Sequence, residues 1–162
     1  MSYFIHETSI VETDCIGEGT KIWAFSHICK GVRIGKNCVV GEGVYIGNNV
    51  EIGDNVKIQN NSLIYEGVTI ENNVFIGPNV VTTNDIYPRS QGDWSDRFRK
   101  TLIKKNSSIC ANSTIVCGNI IGENAMIGAG SVVTISIPDN MLAYGNPCRI
   151  KSKVKDGPNT NE

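Results

Sequence analysis

Apolar positions recur every six residues along most of the chain. Counting from Ile10, every sixth position through Ile76 is a β-branched aliphatic, twelve in a row, and eleven of them are Ile. The series breaks at Thr82 and resumes with Ile103, Ile109, Ile115, Ile121, Ile127 and Val133. Six is a multiple of the strand period of two and not of the helical 3.6. On a helix these residues would spiral around every face, whereas on extended segments they all point one way. Gly often follows the aliphatic, as at Gly17, Gly35, Gly53 and Gly77, and a small or β-branched residue tends to precede the next one by two, as at Thr20, Ser26, Val44 and Ser62. The unit reads as a short strand followed by a turn, in which Gly, Asn or Asp tolerates positive φ.

A fixed short period predicts a solenoid, and a six-residue period predicts a parallel β-helix of triangular cross-section with three units per coil. Each Ile then rests on the Ile 18 positions away. Six coils at the inter-strand spacing make a prism roughly 30 Å tall. Residues 1–9 are expected to cap the first coil, with coils over 10–82 and 103–137. Pro138 and Pro147 end the ladder, leaving a last extended piece and a polar tail over 138–162. The whole chain is one domain by size.

The interruption, 83–102, is one long loop. Insertions in repeat proteins emerge from one face, often the binding face. Ile86, Tyr87, Trp94 and Phe98 supply apolar anchors that a disordered segment would lack. Before each inward aliphatic sits an outward side chain, apolar at Val39, Tyr45, Leu63, Phe75 and Val81. Read together, these predict a subunit interface, and a three-sided prism packs about a three-fold axis, so a homotrimer is expected.

Composition narrows the function. The net charge of −1 and the scatter of Lys and Arg give no nucleic-acid footprint. No apolar run reaches the length of a membrane span and the first residues lack the regions of a signal peptide, so a cytoplasmic protein is expected. The six cysteines form no CxxC and no Cys/His cluster in sequence, so small buried thiols are expected, with no metal. A zinc-dependent β-helix hydratase of the gamma carbonic anhydrase kind needs three His ligands, and the chain has only His6 and His27.

The ladder resembles that of the hexapeptide-repeat acyltransferases, which implies an all-β, left-handed parallel β-helix. Handedness comes from the resemblance alone, because parallel crossovers ordinarily favour the right hand. Several blocks are similar to the N-acetyltransferases of nucleotide-linked 3-amino sugars: Lys21-Ile22-Trp23 with Phe25-Ser26-His27, Val56 to Asn61, Tyr65-Glu66-Gly67-Val68-Thr69, and Gly77-Pro78 followed by Thr83-Asn84-Asp85 and Pro88-Arg89-Ser90. Gly128 to Thr134 and Gly145-Asn146-Pro147 with Arg149 match acetyl-CoA-using relatives more generally. The resemblance covers about 3–151, with departures at Ala24, Thr82 and Cys148.

It implies transfer of an acetyl group from acetyl-CoA to the amine of a nucleotide-linked amino sugar. The favoured acceptor is a dTDP-linked 3-amino-3,6-dideoxyhexose destined for surface polysaccharide. A UDP-linked 3-amino uronic acid, another small-molecule acceptor, or a non-catalytic assembly subunit are the alternatives. Asn84 is implied beside the reacting amine, where its amide oxygen can accept an N–H bond and aim the lone pair. His27 is expected to line the site across a subunit interface. Gln59, Asn60, Tyr65, Glu66, Asp85 and Arg89 are candidates for the nucleotide sugar, Arg89 as a diphosphate ligand. For coenzyme A the candidates are Gly128, Ala129, Gly130 and Ser131 through their backbone, with Asn146, Arg149 and Lys151.

Overall fold

The structure is a computed structural model that describes residues 2–92 and 95–155. It is an all-β parallel solenoid of the hexapeptide-repeat β-helix kind. Very short strands, mostly two residues long, follow one another around three faces. The first face holds a sheet of nine strands, starting at Phe4–Ile5 and Lys21–Ile22. The second holds seven, from Ile10–Val11 and His27–Ile28 to Val132–Val133, and the third holds five, with bridges at Ile16–Ile34 and Ile121–Ile137 extending it at both ends.

Pairing follows the 18-residue coil. Ile22 lies beside Val40, Val40 beside Ile58, and Ile58 beside Ile76. Every Ile of the ladder from Ile22 to Ile76 is 5% exposed or less. Burying each contributes ~1.5–3 kcal/mol. The small residue two positions earlier also faces inward, and where it is Ser or Thr it stays satisfied: Thr20, Ser26 and Ser62 donate to the carbonyls of Gly35, Gly41 and Gly77, each at 2.8 Å.

Four details depart from the sequence reading. The first inward rung is Ile5, followed by Val11. Phe4–Ile5 pairs with Lys21–Ile22, so the segment expected to cap the first coil is, over its described residues 2–9, part of that coil. Ile10 pairs with His27 on the outer side and is 60% exposed, while Val11 stacks on Ile28. Seven coils are complete between Ile5 and Ile137, not six, and Ala143 opens a further turn above Ile127. The apolar outward residues lie on two faces: Val39 and Phe75 on the first, Tyr45, Leu63 and Val81 on the second.

The turn chemistry also differs. Positive φ falls three residues before most rungs, at Asn37, Asn49, Asn55, Asn61, Asn73, Asn79 and their equivalents. Asn and Gly tolerate that conformation. The Asn amides stack into a ladder along one edge, with Asn55 donating to Asn73 and Asn73 to Asn106, each at 3.1 Å. The Gly after the aliphatic has a different task. A Cβ on Gly17 would sit 2.4 Å from the carbonyl carbon of Gly35, so the coils could not stack.

Thr82 does not interrupt the core. It occupies its rung fully buried, and the ladder departs after it. Ile70 then pairs with Ile103, 33 positions on instead of 18, so the loop leaves and re-enters between the second and third faces. Its ends are tied: the Arg99 N–H donates to the Asn84 carbonyl and the Thr101 N–H to that of Gly67, both at 2.9 Å. Beyond the last coil, Met141–Tyr144 turns back as an antiparallel pair with Arg149–Lys153. Trp94 and 156–162 lie outside the described residues.

Candidate active site

Each edge of the prism collects residues whose numbers differ by about 18, so the three edges sort the candidates. The edge between the second and third faces carries Tyr65, Glu66, Asn84 and Asp85. Tyr65 and Glu66 follow the rung Ile64, and Asn84 follows Thr82 one coil higher. Elsewhere on this edge the first residue after a rung donates its N–H to the rung's carbonyl one coil on, as Gly47 does to Ile64 at 2.8 Å. Tyr65 instead donates to the side-chain hydroxyl of Thr82, at 2.9 Å. That hydroxyl is what lets the main chain leave the coil at Thr83 without orphaning the Tyr65 N–H.

Around the loop root lie two clefts. One, of about 490 Å³, is bounded by Asp85, Tyr87 and Phe98 among others. The second, of about 430 Å³, lies below it against Glu66, Thr69, Phe98 and Lys100. Phe98 lines both, so it divides them, in keeping with its role as a loop anchor. The Asp85 carboxylate accepts the Tyr87 N–H at 2.8 Å, which fixes the first bend of the loop. The Asn49 amide donates to the Glu66 carboxylate at 3.2 Å and orients it. Asn84 is half-buried at the loop root.

His27 lies on the second face two coils below Tyr65. A chain of rings connects them: His27 meets Tyr45 edge-on at 5.7 Å between centroids, and Tyr45 meets Tyr65 at 5.4 Å. The Tyr45 phenol is pushed up to about 12, first by the Cys29 side chain beside it, then by burial. It stays neutral at physiological pH. Tyr45 and Cys29 were not among the sequence candidates. The 18-residue register of His27 and Tyr45 is the signal that would have found the first.

The other candidates lie elsewhere. Gln59 and Asn60 sit on the edge between the first and second faces, not beside Tyr65 and Glu66 near the loop exit. Six residues apart along the chain means the next edge of the prism. The Asn60 amide oxygen accepts the Glu42 N–H at 3.0 Å, so part of its capacity is spent on coil stacking. Trp23, Ala24, Glu42 and Asn60 border a cleft of about 350 Å³ with His6 on this edge. Phe25, 66% exposed, holds a positive φ that Asn or Gly takes at nearly every other corner.

Gly128 to Ser131 occupy the same edge three coils higher. The Gly128 and Gly130 N–H groups donate to the carbonyls of Ala143 and Ala111, each at 2.9 Å. Ser131 is fully buried, and its hydroxyl bonds Gly128 and Gly145. Two of the expected backbone donors, the Gly128 and Gly130 N–H groups, are therefore committed to the coil itself. Asn146 and Arg149 are exposed on the final turn, where an Arg149 N–H donates to the Cys148 carbonyl at 2.9 Å. Lys151 lies over the Tyr144 ring at 4.9 Å. Arg89 is exposed in the loop and donates to the Pro88 carbonyl at 2.9 Å.

Comparison with known proteins fits this architecture. The sequence pattern of the bacterial transferase hexapeptide (six repeats) matches 16–48 and 49–84, and that of the hexapeptide repeat of succinyl-transferase matches 102–135 and 118–141. The dTDP-3-amino-3,6-dideoxy-alpha-D-galactopyranose 3-N-acetyltransferase of Aneurinibacillus thermoaerophilus is 65% identical over 151 residues, covering 93% of this chain and 78% of that protein. Among solved structures, a galactoside acetyltransferase in complex with coenzyme A matches with a TM-score of 0.68 at 32% identity, over 78% of this chain and 66% of that one. GDP-perosamine N-acetyltransferase from Caulobacter crescentus, solved with CoA and GDP-perosamine, matches with a TM-score of 0.67 at 21% identity, and this chain covers 56% of its length. That likeness is one of fold. The ladder, the loop and the 65% identity lead to one statement: this chain belongs to the hexapeptide-repeat acyltransferase family.

Proposed function

We propose that the protein transfers an acetyl group from acetyl-CoA to the 3-amino group of a dTDP-linked 3-amino-3,6-dideoxyhexose. The observation that carries this is the 65% identity, over nearly the whole chain, to an enzyme named for that reaction on the galacto sugar. The nitrogen lone pair attacks the thioester carbonyl carbon, the C–S bond breaks, and the amine proton leaves with the coenzyme thiol. A sugar amine is nucleophilic once neutral, so positioning and oxyanion stabilisation carry much of the barrier. Asn84 holds an amine N–H through its amide oxygen. Tyr65, Glu66 and Asp85 shape the acceptor side, and Arg89 reaches the diphosphate from the loop. Acetyl-CoA runs along the other edge, over Ala129 and Gly130, with its phosphates near Arg149 and Lys151.

Acceptor and coenzyme candidates lie on different edges of one prism, separated by the second face. Packing copies about a three-fold axis brings one edge of each against the other edge of its neighbour. A homotrimer with sites between subunits follows, and Gln59 and Asn60 then face the acceptor from the adjacent copy. Tyr45, Leu63 and Val81 on the second face provide the half-buried apolar contact. No helix among the described residues is long and apolar enough to cross a membrane. The reaction belongs in the cytoplasm, ahead of surface polysaccharide assembly.

Calorimetric titration with acetyl-CoA, then thiol release with a panel of nucleotide-linked 3-amino and 4-amino sugars, tests this. Binding of acetyl-CoA with turnover confined to dTDP-3-amino sugars is expected. No binding, or preference for a 4-amino sugar, would sink it.

A further inference from the structure

Glu12, His27 and Cys29 converge on the edge between the second and third faces, although Glu12 lies 15 residues before His27 in the sequence. The Nε2 of His27 lies 3.3 Å from a Glu12 carboxylate oxygen and 3.9 Å from the Cys29 sulfur. All three ligand atoms lie within 4.8 Å of one another. We propose that these three side chains form a binding site for a divalent metal of borderline softness, of the Zn²⁺ class. The ion would clip the first coil to the second.

The geometry fits such an ion. Zinc bonds of about 2.3 Å to sulfur and about 2.0–2.2 Å to nitrogen or oxygen, at tetrahedral angles, put ligand atoms roughly 3.3–3.6 Å apart. The nitrogen–oxygen separation is already there. Closing the rest takes a movement of Glu12, the exposed member, and a small rotation that brings the His27 nitrogen nearer the Cys29 sulfur. The donor set also discriminates. A thiolate with an imidazole selects zinc-like ions over Mg²⁺ or Ca²⁺, which prefer oxygen. Three protein ligands leave one position for water.

The scaffold is rigid at these points. The Glu12 N–H donates to the Ile28 carbonyl and the Cys29 N–H to that of Ile46, both at 2.9 Å. Tyr45 braces the imidazole edge-on, which limits its rotation. Cys29 is 5% exposed, and its sulfur lies beside both the His27 imidazole and the Tyr45 phenol. Binding releases the Cys29 thiol proton to water and requires His27 neutral. The site needs no acetyl transfer to exist, so it stands or falls separately from the reaction proposed above.

The test uses untagged, chelator-treated full-length protein. Titration with Co²⁺ is expected to give the absorption of tetrahedral, thiolate-ligated cobalt, saturating at one ion per chain and displaced by Zn²⁺. Zn²⁺ should also raise the melting temperature, as any ligand specific to the folded state does. Cys29→Ser should abolish the sulfur charge-transfer band, and Glu12→Gln, a surface change that leaves the fold intact, should weaken affinity at least tenfold. Absence of a saturable thiolate spectrum overturns the proposal. So does a spectrum or affinity unchanged in Glu12→Gln, which would assign the metal to other groups and which decides the matter even if Cys29→Ser fails to fold.

Discussion

Thr82→Val separates the fold from the site. Thr82 is fully buried, stacked against Ile115, and its hydroxyl accepts the Tyr65 N–H at 2.9 Å. Valine keeps the shape and the β-branch. Losing the acceptor for a buried N–H costs ~1–3 kcal/mol, and Tyr65, 37% exposed, belongs at the low end, ~1 kcal/mol. A methyl in place of a hydroxyl amid Ile side chains returns about as much, ~0.8–1 kcal/mol. The two nearly cancel, so the melting temperature should move by less than about 3 °C in a chain of this size. Activity should not cancel. The bond fixes Tyr65 and the loop root at Asn84 relative to each other, and a displacement near 1 Å can cost on the order of 100-fold. Steady-state thiol release should give kcat/KM at least about tenfold below wild type, while Thr82→Ser, which keeps the acceptor, stays near wild type. Wild-type activity in Thr82→Val, with an unchanged melt, would refute the role assigned to this hydroxyl.

Other expectations follow from single contacts. Asn84→Ala should lower turnover at least about tenfold with the oligomer unchanged by sedimentation, since one oriented hydrogen bond in a site is worth ~1–3 kcal/mol. Asn73→Ala loses amide bonds to Asn55 and Asn106 and a side chain suited to positive φ. It should destabilise by ~2–3 kcal/mol in denaturant unfolding. Phe25→Asn should relieve strain and raise stability by ~0.5–1 kcal/mol, because the ring is 66% exposed; a thermal melt reads the sign. Arg33→Ala breaks an exposed pair with Glu51 and should cost under about 1 kcal/mol, a control for the buried changes.

The prism was legible because six is even. Each inward position repeats in phase with the pleat, and burial of Ile22 through Ile76 follows directly. The phase at the start was not. Ile10 and Val11 are both β-branched, and alternation cannot say which faces in. The first coil runs one residue short, from Val11 to Ile16, and only pairing with Ile28 and Ile34 shows it. The loop root was visible as a gap, so Asn84 and Asp85 could be named. The division of the candidates between edges was not seen, although counting by 18 would have put Gln59 with Trp23 and Tyr65 with Thr83. The Glu12, His27 and Cys29 cluster needs the coil closed in space, since adjacent coils bring together residues 15 apart that share no motif.

The most direct test of the central claim is the product. Acetyl-CoA and a dTDP-linked 3-amino-3,6-dideoxyhexose are incubated with the protein, and mass spectrometry and proton NMR follow the sugar while thiol release follows the coenzyme. One acetyl group on the nitrogen at C3 for each coenzyme thiol freed is the predicted result. Acetyl on a hydroxyl, or thiol release without an acetylated sugar, would contradict it.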